Sequence, residues 1–183
     1  MGKPSQVILL LEDDHQKMLL YRYLKRCGLG HVTRVSPYVP GRGSAEQRVR
    51  AQFATEVKAY RSRQARAETS LIVVIDADEN TVQERLNQLD QALKDAGQVG
   101  VPTDAERIAR LIPKRNIETW ILCLTETNVD EETDYKDSNT DWNGLMPRGA
   151  EELYQSTRPN AELPIRCIES LRSGITELKR LAL

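Results

Sequence analysis

The sequence predicts an α/β fold: a mainly parallel, Rossmann-like sheet flanked by helices, with a helical C-terminal extension. Three observations predict it. Two runs of consecutive apolar residues, VILLL at residues 7–11 and LIVVI at residues 71–75, are too short for helices and have the composition of strands buried on both faces. Each run leads at once into acidic residues, and each is followed by an apolar pattern at helical spacing. Strands alternating with helices imply parallel pairing.

The first strand, VILLL, precedes a helix over residues 15–27, where Met18, Leu19, Tyr21, Tyr23 and Leu24 recur at helical spacing and Gly28 supplies a stop. A short second strand is expected at residues 31–35, then a loop with Pro37, Pro40, Gly41 and Gly43. Ser44, with Gln47 three residues on, forms a capping box. The helix it opens carries Val49, Phe53, Val57 and Tyr60 on one stripe and runs to the vicinity of Arg66. LIVVI is the third strand, and Thr81 with Glu84 caps a helix that turns Val82, Leu86, Leu89 and Leu93 inward and ends near Gly97. Residues 107–112 are expected as a further strand stopped by Pro113, and residues 117–124 as a short helix, apolar nearly all round. Residues 126–141 turn acidic, opposed only by Lys136, and read as an exposed insertion or linker. A last helix is expected over about residues 164–181, with Ile168, Leu171, Ile175 and Leu178 on one face. This divides the chain into an α/β core at 1–125, an acidic exposed segment at 126–145 and a helical extension at 146–183 that packs on the core.

Composition narrows the function. The 183 residues suit one domain of ordinary size, and 39% apolar with 29% charged residues exclude both a disordered and a membranous chain. Lys plus Arg total 26 against 27 for Asp plus Glu, so any polyanion site must be local. Cys27, Cys123 and Cys167 are widely spaced and have only His15 and His31 beside them, which argues against a disulfide framework and a structural zinc site. No signal peptide is visible at residues 1–6, so the expected compartment is the cytosol.

In a parallel sheet with right-handed crossovers, strand C-termini share one edge, so acids that follow two strands become neighbours there. Glu12 and the pair Asp76 and Asp78 meet that condition. Converging carboxylates repel, and a hard divalent cation is the usual remedy, with Mg2+ (or Mn2+) the candidate. Alternate residues leaving a strand point the same way, which would let Asp76 and Asp78 face one ion with Ala77 turned aside. Asp13 and Asp14 are read as favouring the start of the helix that follows.

VILLLEDD and LIVVIDAD together resemble the Toprim fold shared by topoisomerases, primases and OLD-like nucleases, in which a Glu follows the first strand and Asp-x-Asp a later one. The likeness is greatest to small stand-alone Toprim-like proteins of bacteria. It extends to the Gly-rich turn at residues 41–44 and to a strand leading into a Glu-x-Trp helix with Glu118 and Trp120, so it covers residues 7–124. The resemblance implies Glu12, Asp76 and Asp78 as metal ligands, Glu118 as a further acid, nuclease chemistry on nucleic acid, and a place in antiphage defence or DNA processing beside a partner ATPase. Two positions depart from the family pattern: Asp13 replaces the usual Gly after the first Glu, and Gln16 stands where a further acid is often found. They motivate a second reading, a catalytically degenerate module that binds nucleic acid or a protein partner. A response-regulator receiver is a weaker match, because the interval from Asp13 to Asp76 is long and Asp78 has no role there.

Seven cations, Arg42, Arg48, Arg50, Lys58, Arg61, Arg63 and Arg66, face only Glu46 and Glu56 between residues 42 and 66. Such a stripe can neutralise phosphates or serve as a solvated helix face. A second cluster, Arg107, Arg110, Lys114 and Arg115, is expected near the acidic edge, where Lys114 could stabilise charge developing on a phosphoryl oxygen. No P-loop sequence is present.

Overall fold

Side-chain alternation along four short strands sets the architecture. The computed structural model describes residues 2–37, 43–98, 100–136, 138–163 and 167–183. Arg42, Gly41 and Pro40, named above, lie outside the described residues, as do Asp137 and the expected start of the last helix at 164–166. Strands β1 (Gln6–Leu10), β2 (Thr33–Val35), β3 (Thr69–Val74) and β4 (Ile108–Leu111) form one parallel sheet in the order β2-β1-β3-β4. Leu9 pairs with Val35 on one side and Ile72 on the other.

Helices α1 (Asp14–Arg26), α2 (Ala45–Arg63) and α3 (Val82–Asp95) make the crossovers, and α4 (Ile117–Leu124), α5 (Trp142–Ser156) and α6 (Glu169–Arg180) follow. One sheet face, with Val7, Leu9, Ile72, Val74 and Leu111, packs on α1, α4, α5 and α6. The opposite face, with Ile8, Leu10, Leu71, Val73 and Ile75, packs on α2 and α3 through Val49, Phe53, Leu89 and Leu93. Both faces are covered, which is why the strands read as unbroken apolar runs. The result is a three-layer, Rossmann-like α/β sandwich.

Both expected capping boxes form, Ser44 with Gln47 and Thr81 with Glu84. Trp120 is fully buried and gives its indole N–H to Ser170 Oγ at 2.7 Å, tying α4 to α6. α6 also covers the β4 edge. The Arg180 guanidinium donates to the Glu106 and Ile108 carbonyls at 2.7 and 2.6 Å, so edge acceptors that would otherwise be open to another strand are satisfied.

The acidic segment is largely exposed, as expected, yet it is tied to the core: Val129 and Tyr135 pack against it, Glu131 accepts the Ser170 N–H at 2.9 Å, and Asp134 accepts the Asn116 amide at 2.7 Å. One expectation needs correction. A helix absent from the sequence reading, α5, begins at Trp142, inside the segment assigned as exposed.

Candidate active site

The strand order reverses between β1 and β3, and the crevice beyond the C-terminal ends of these two strands is where open α/β sheets bind ligands. Glu12 leaves β1 there and Asp76 leaves β3. Glu12 Oε2 accepts the Asp76 backbone N–H at 2.6 Å, which seats the Glu12 carboxyl group against the main chain of a residue 64 positions away. Asp13 caps α1 by accepting the Gln16 N–H at 2.9 Å, the helix-start role expected of it. That cap fixes Gln16, which is fully buried, in the first turn. The Gln16 carbonyl accepts the Glu12 N–H at 2.9 Å, leaving its amide nitrogen to donate to Glu12 Oε2 at 3.3 Å and Asp76 Oδ1 at 3.0 Å. One neutral amide thus bridges the two carboxyl groups.

Their electrostatics follow from that enclosure. Burial raises the Glu12 pKa to about 7; the Asp76 N–H opposes the rise and the Asp78 charge adds to it. Asp76, only 2% exposed, is pushed well above the usual carboxylate range by burial first and then by Glu12, Asp13 and Glu118. Lys136, from the acidic segment, reaches back so that Nζ lies 3.5 Å from Asp13 Oδ2. Burial lowers the pKa of this lysine, but Asp13, Asp76 and Glu118 outweigh that and leave it raised.

Asp78 does not join the pair. β3 ends at Val74, so the two-residue alternation of a strand no longer applies, and Asp78 adopts a left-handed backbone with φ of 53°. Its side chain is 56% exposed and lies 3.3 Å from the buried Arg85 guanidinium, which also binds Glu46. Among the described residues no group of three or more His, Cys, Asp or Glu side chains is placed to hold a metal ion.

Glu118, in the first turn of α4, has no exposed surface, and its Oε1 lies 2.6 Å from His15 Nδ1. Its other oxygen is buried without a hydrogen-bond partner. Lys114 pairs instead with Glu132 at 3.5 Å, and Arg115 with Glu79 and Asp134.

The basic stripe of α2 divides. Arg48 donates to the Glu12 carbonyl at 3.1 Å and lines a cavity of about 320 Å3 together with Glu12, Asp13, Lys17, Ser36 and Gln52. Arg50 is paired with Glu46, Arg61 with Glu106 at 2.8 Å, and Lys58 is exposed. The second basic cluster divides too: Arg115 lies near enough to Asp78 to favour its charged form, whereas Arg107 and Arg110 are engaged elsewhere. Arg107 is buried at the start of β4, bonded to Ser70, the Gly2 carbonyl and the Leu181 carbonyl. Arg110 pairs with Asp90 at 2.6 Å.

The sequence pointed to Glu12 and Asp76 but not to Gln16, His15 or Lys136. Gln16 carried a usable signal, a polar residue at N3 of the helix that follows an acidic strand end. Lys136, the lone cation in an acidic run, carried another.

Fold and crevice together define an α/β sandwich with an acidic pair at its topological switch point. No family model, curated protein or solved structure matches the chain. Among the described residues no helix is long and apolar enough to cross a membrane.

Proposed function

We propose that the protein is a Toprim-like, Mg2+- or Mn2+-dependent phosphodiester hydrolase acting on nucleic acid, with Glu12 and Asp76 as its metal-holding pair. The observation that carries this reading is that two desolvated carboxyl groups share one bridging amide, that of Gln16, at the switch-point crevice. Their donor chemistry fits a small hard cation, since Mg2+ commonly takes one or two carboxylates and completes its shell with water and substrate phosphate. Burial, and after it the neighbouring acids, raise both pKa values, and the unpartnered buried oxygen of Glu118 belongs to the same acidic neighbourhood. When bound, the ion would lower the pKa of a coordinated water and polarise a phosphate oxygen. Glu12 and Asp76 must give up protons to hold it, and Gln16 must give up its bridging bonds. Arg48 and Lys17 line the adjoining cavity, where they would meet a phosphate backbone entering beside Glu12. Asp78 serves the site through its charge.

A second reading, a degenerate binding module, is favoured by one observation: the Gln16 amide already donates a hydrogen bond to each carboxyl group, filling the place between them without a metal. One assay separates the two. Purified protein is incubated with supercoiled plasmid, single-stranded DNA and RNA, with Mg2+ or Mn2+, beside Asp76→Ala. Metal-dependent cleavage that the variant lacks supports the hydrolase. Retention of these nucleic acids on the protein without cleavage supports the binding module, and equal cleavage by the variant shows contamination.

A further inference from the structure

His15 and Glu118 meet across 103 residues of sequence, and Glu118 is near enough to Asp76 for its charge to be felt there. With Glu118 ionised its oxygens can only accept, which makes His15 Nδ1 the donor in their 2.6 Å bond. That fixes the tautomer of the neutral ring and leaves the lone pair on Nε2. Nε2 makes no hydrogen bond among the described residues and is not one of the buried unpartnered atoms, so solvent reaches it. The Trp142 ring, 5.9 Å away and tilted by 48°, packs beside the imidazole and limits its rotation. Glu118 is fully buried with one oxygen unpartnered, a costly arrangement for a carboxylate and one suited to stabilising an imidazolium as it forms. His15 is the residue immediately before Gln16, so this ring and the amide that bridges Glu12 and Asp76 leave the same first turn of α1.

We infer that His15 is the catalytic base of phosphodiester hydrolysis at this crevice and that Glu118 is its positioning residue. The inference rests on the hydrolytic reading above. As the water oxygen bonds to phosphorus, Nε2 takes one of the water protons and the bond to the leaving sugar oxygen breaks with its electron pair. The imidazolium, held by Glu118, then passes that proton to the leaving oxygen. The second water hydrogen stays on the new phosphomonoester, which releases it to solvent.

The test measures single-turnover cleavage with Mn2+ between pH 5 and 9 for the wild type, His15→Asn, His15→Ala and Glu118→Gln. Asn keeps an N–H donor for Glu118 while removing Nε2. The expected result is a loss of about 10²–10⁴-fold in His15→Asn, loss of the acid limb of the pH profile, and partial rescue of His15→Ala by imidazole. Glu118→Gln is expected to shift the acid limb, which a purely structural role would leave in place. Should His15→Asn not fold, carbethoxylation of the wild type decides: activity should fall in step with modification of His15 rather than His31, read by mass spectrometry. Wild-type rates in His15→Asn, or activity that does not follow His15 modification, overturn the base alone. Absence of cleavage by the wild type overturns the hydrolytic reading and the base together.

Discussion

A primary amide offers two N–H donors and one carbonyl, and Gln16 uses both ends on the same pair of acids. Truncation to Ala would remove the only side-chain donor shared by the two carboxyl groups and leave Glu12 with the Asp76 backbone N–H. Gln16→Ala should therefore destabilise the protein by about 1–3 kcal/mol, the cost of buried groups left unpaired, measured by urea unfolding. Glu12 gives a pH signature. Its pKa rises from 4.5 to about 7 on folding, so between these values the native state binds more protons than the unfolded chain. Stability from this group is then present at acid pH and lost as pH rises through that window, the reverse of an ordinary salt-bridged carboxylate. Urea midpoints at pH 5.5 and 8 should show Glu12→Gln gaining relative to the wild type at the higher pH; an unchanged difference contradicts the assignment. The convergence of Glu12 with Asp76 was legible because each follows an apolar strand. The outward turn of Asp78 was not, because it depends on a left-handed backbone and on Arg85, a residue that only the fold brings near.

The last helix does two jobs at once. α6 closes the β4 edge through Arg180 and packs its Gly174 against the Trp120 ring so closely that an added methyl group would overlap the indole. Gly174→Ala should cost about 1–3 kcal/mol by overpacking, seen as a lowered urea midpoint with altered near-UV circular dichroism. Strands β1 and β3 were readable from VILLL and LIVVI, and α2 and α3 from their capping boxes. α5 was not. Gly144, Pro147 and Gly149 lie inside it and each argues locally against a helix, yet burial of Trp142, Met146, Ala150 and Leu153 against the core outweighs those preferences. The acidic segment is exposed as its charge pattern suggests, but that pattern did not show that Glu131, Asp134 and Lys136 each find a partner on the α/β core or on α6.

The whole chain carries a formal charge of only -1, so attraction to a polyanion has to come from where charges are placed. Acids gather at the switch point, with Arg48 and Lys17 in the cavity beside them. Chain segments on both sides of the sheet reach this rim: α1 and α4 supply Gln16, His15 and Glu118, α2 supplies Arg48, and the strap before α5 supplies Lys136. If that assembly exists to hold a divalent cation, binding must displace protons from Glu12 and Asp76 and strengthen as pH rises. Titration of Mn2+ into wild type and Asp76→Asn at pH 6 and 8, followed by electron paramagnetic resonance of the free ion, tests this most directly. The account predicts one Mn2+ taken up by the wild type, more tightly at pH 8, and none by the variant. No uptake by the wild type at millimolar Mn2+, or equal uptake by both, contradicts it.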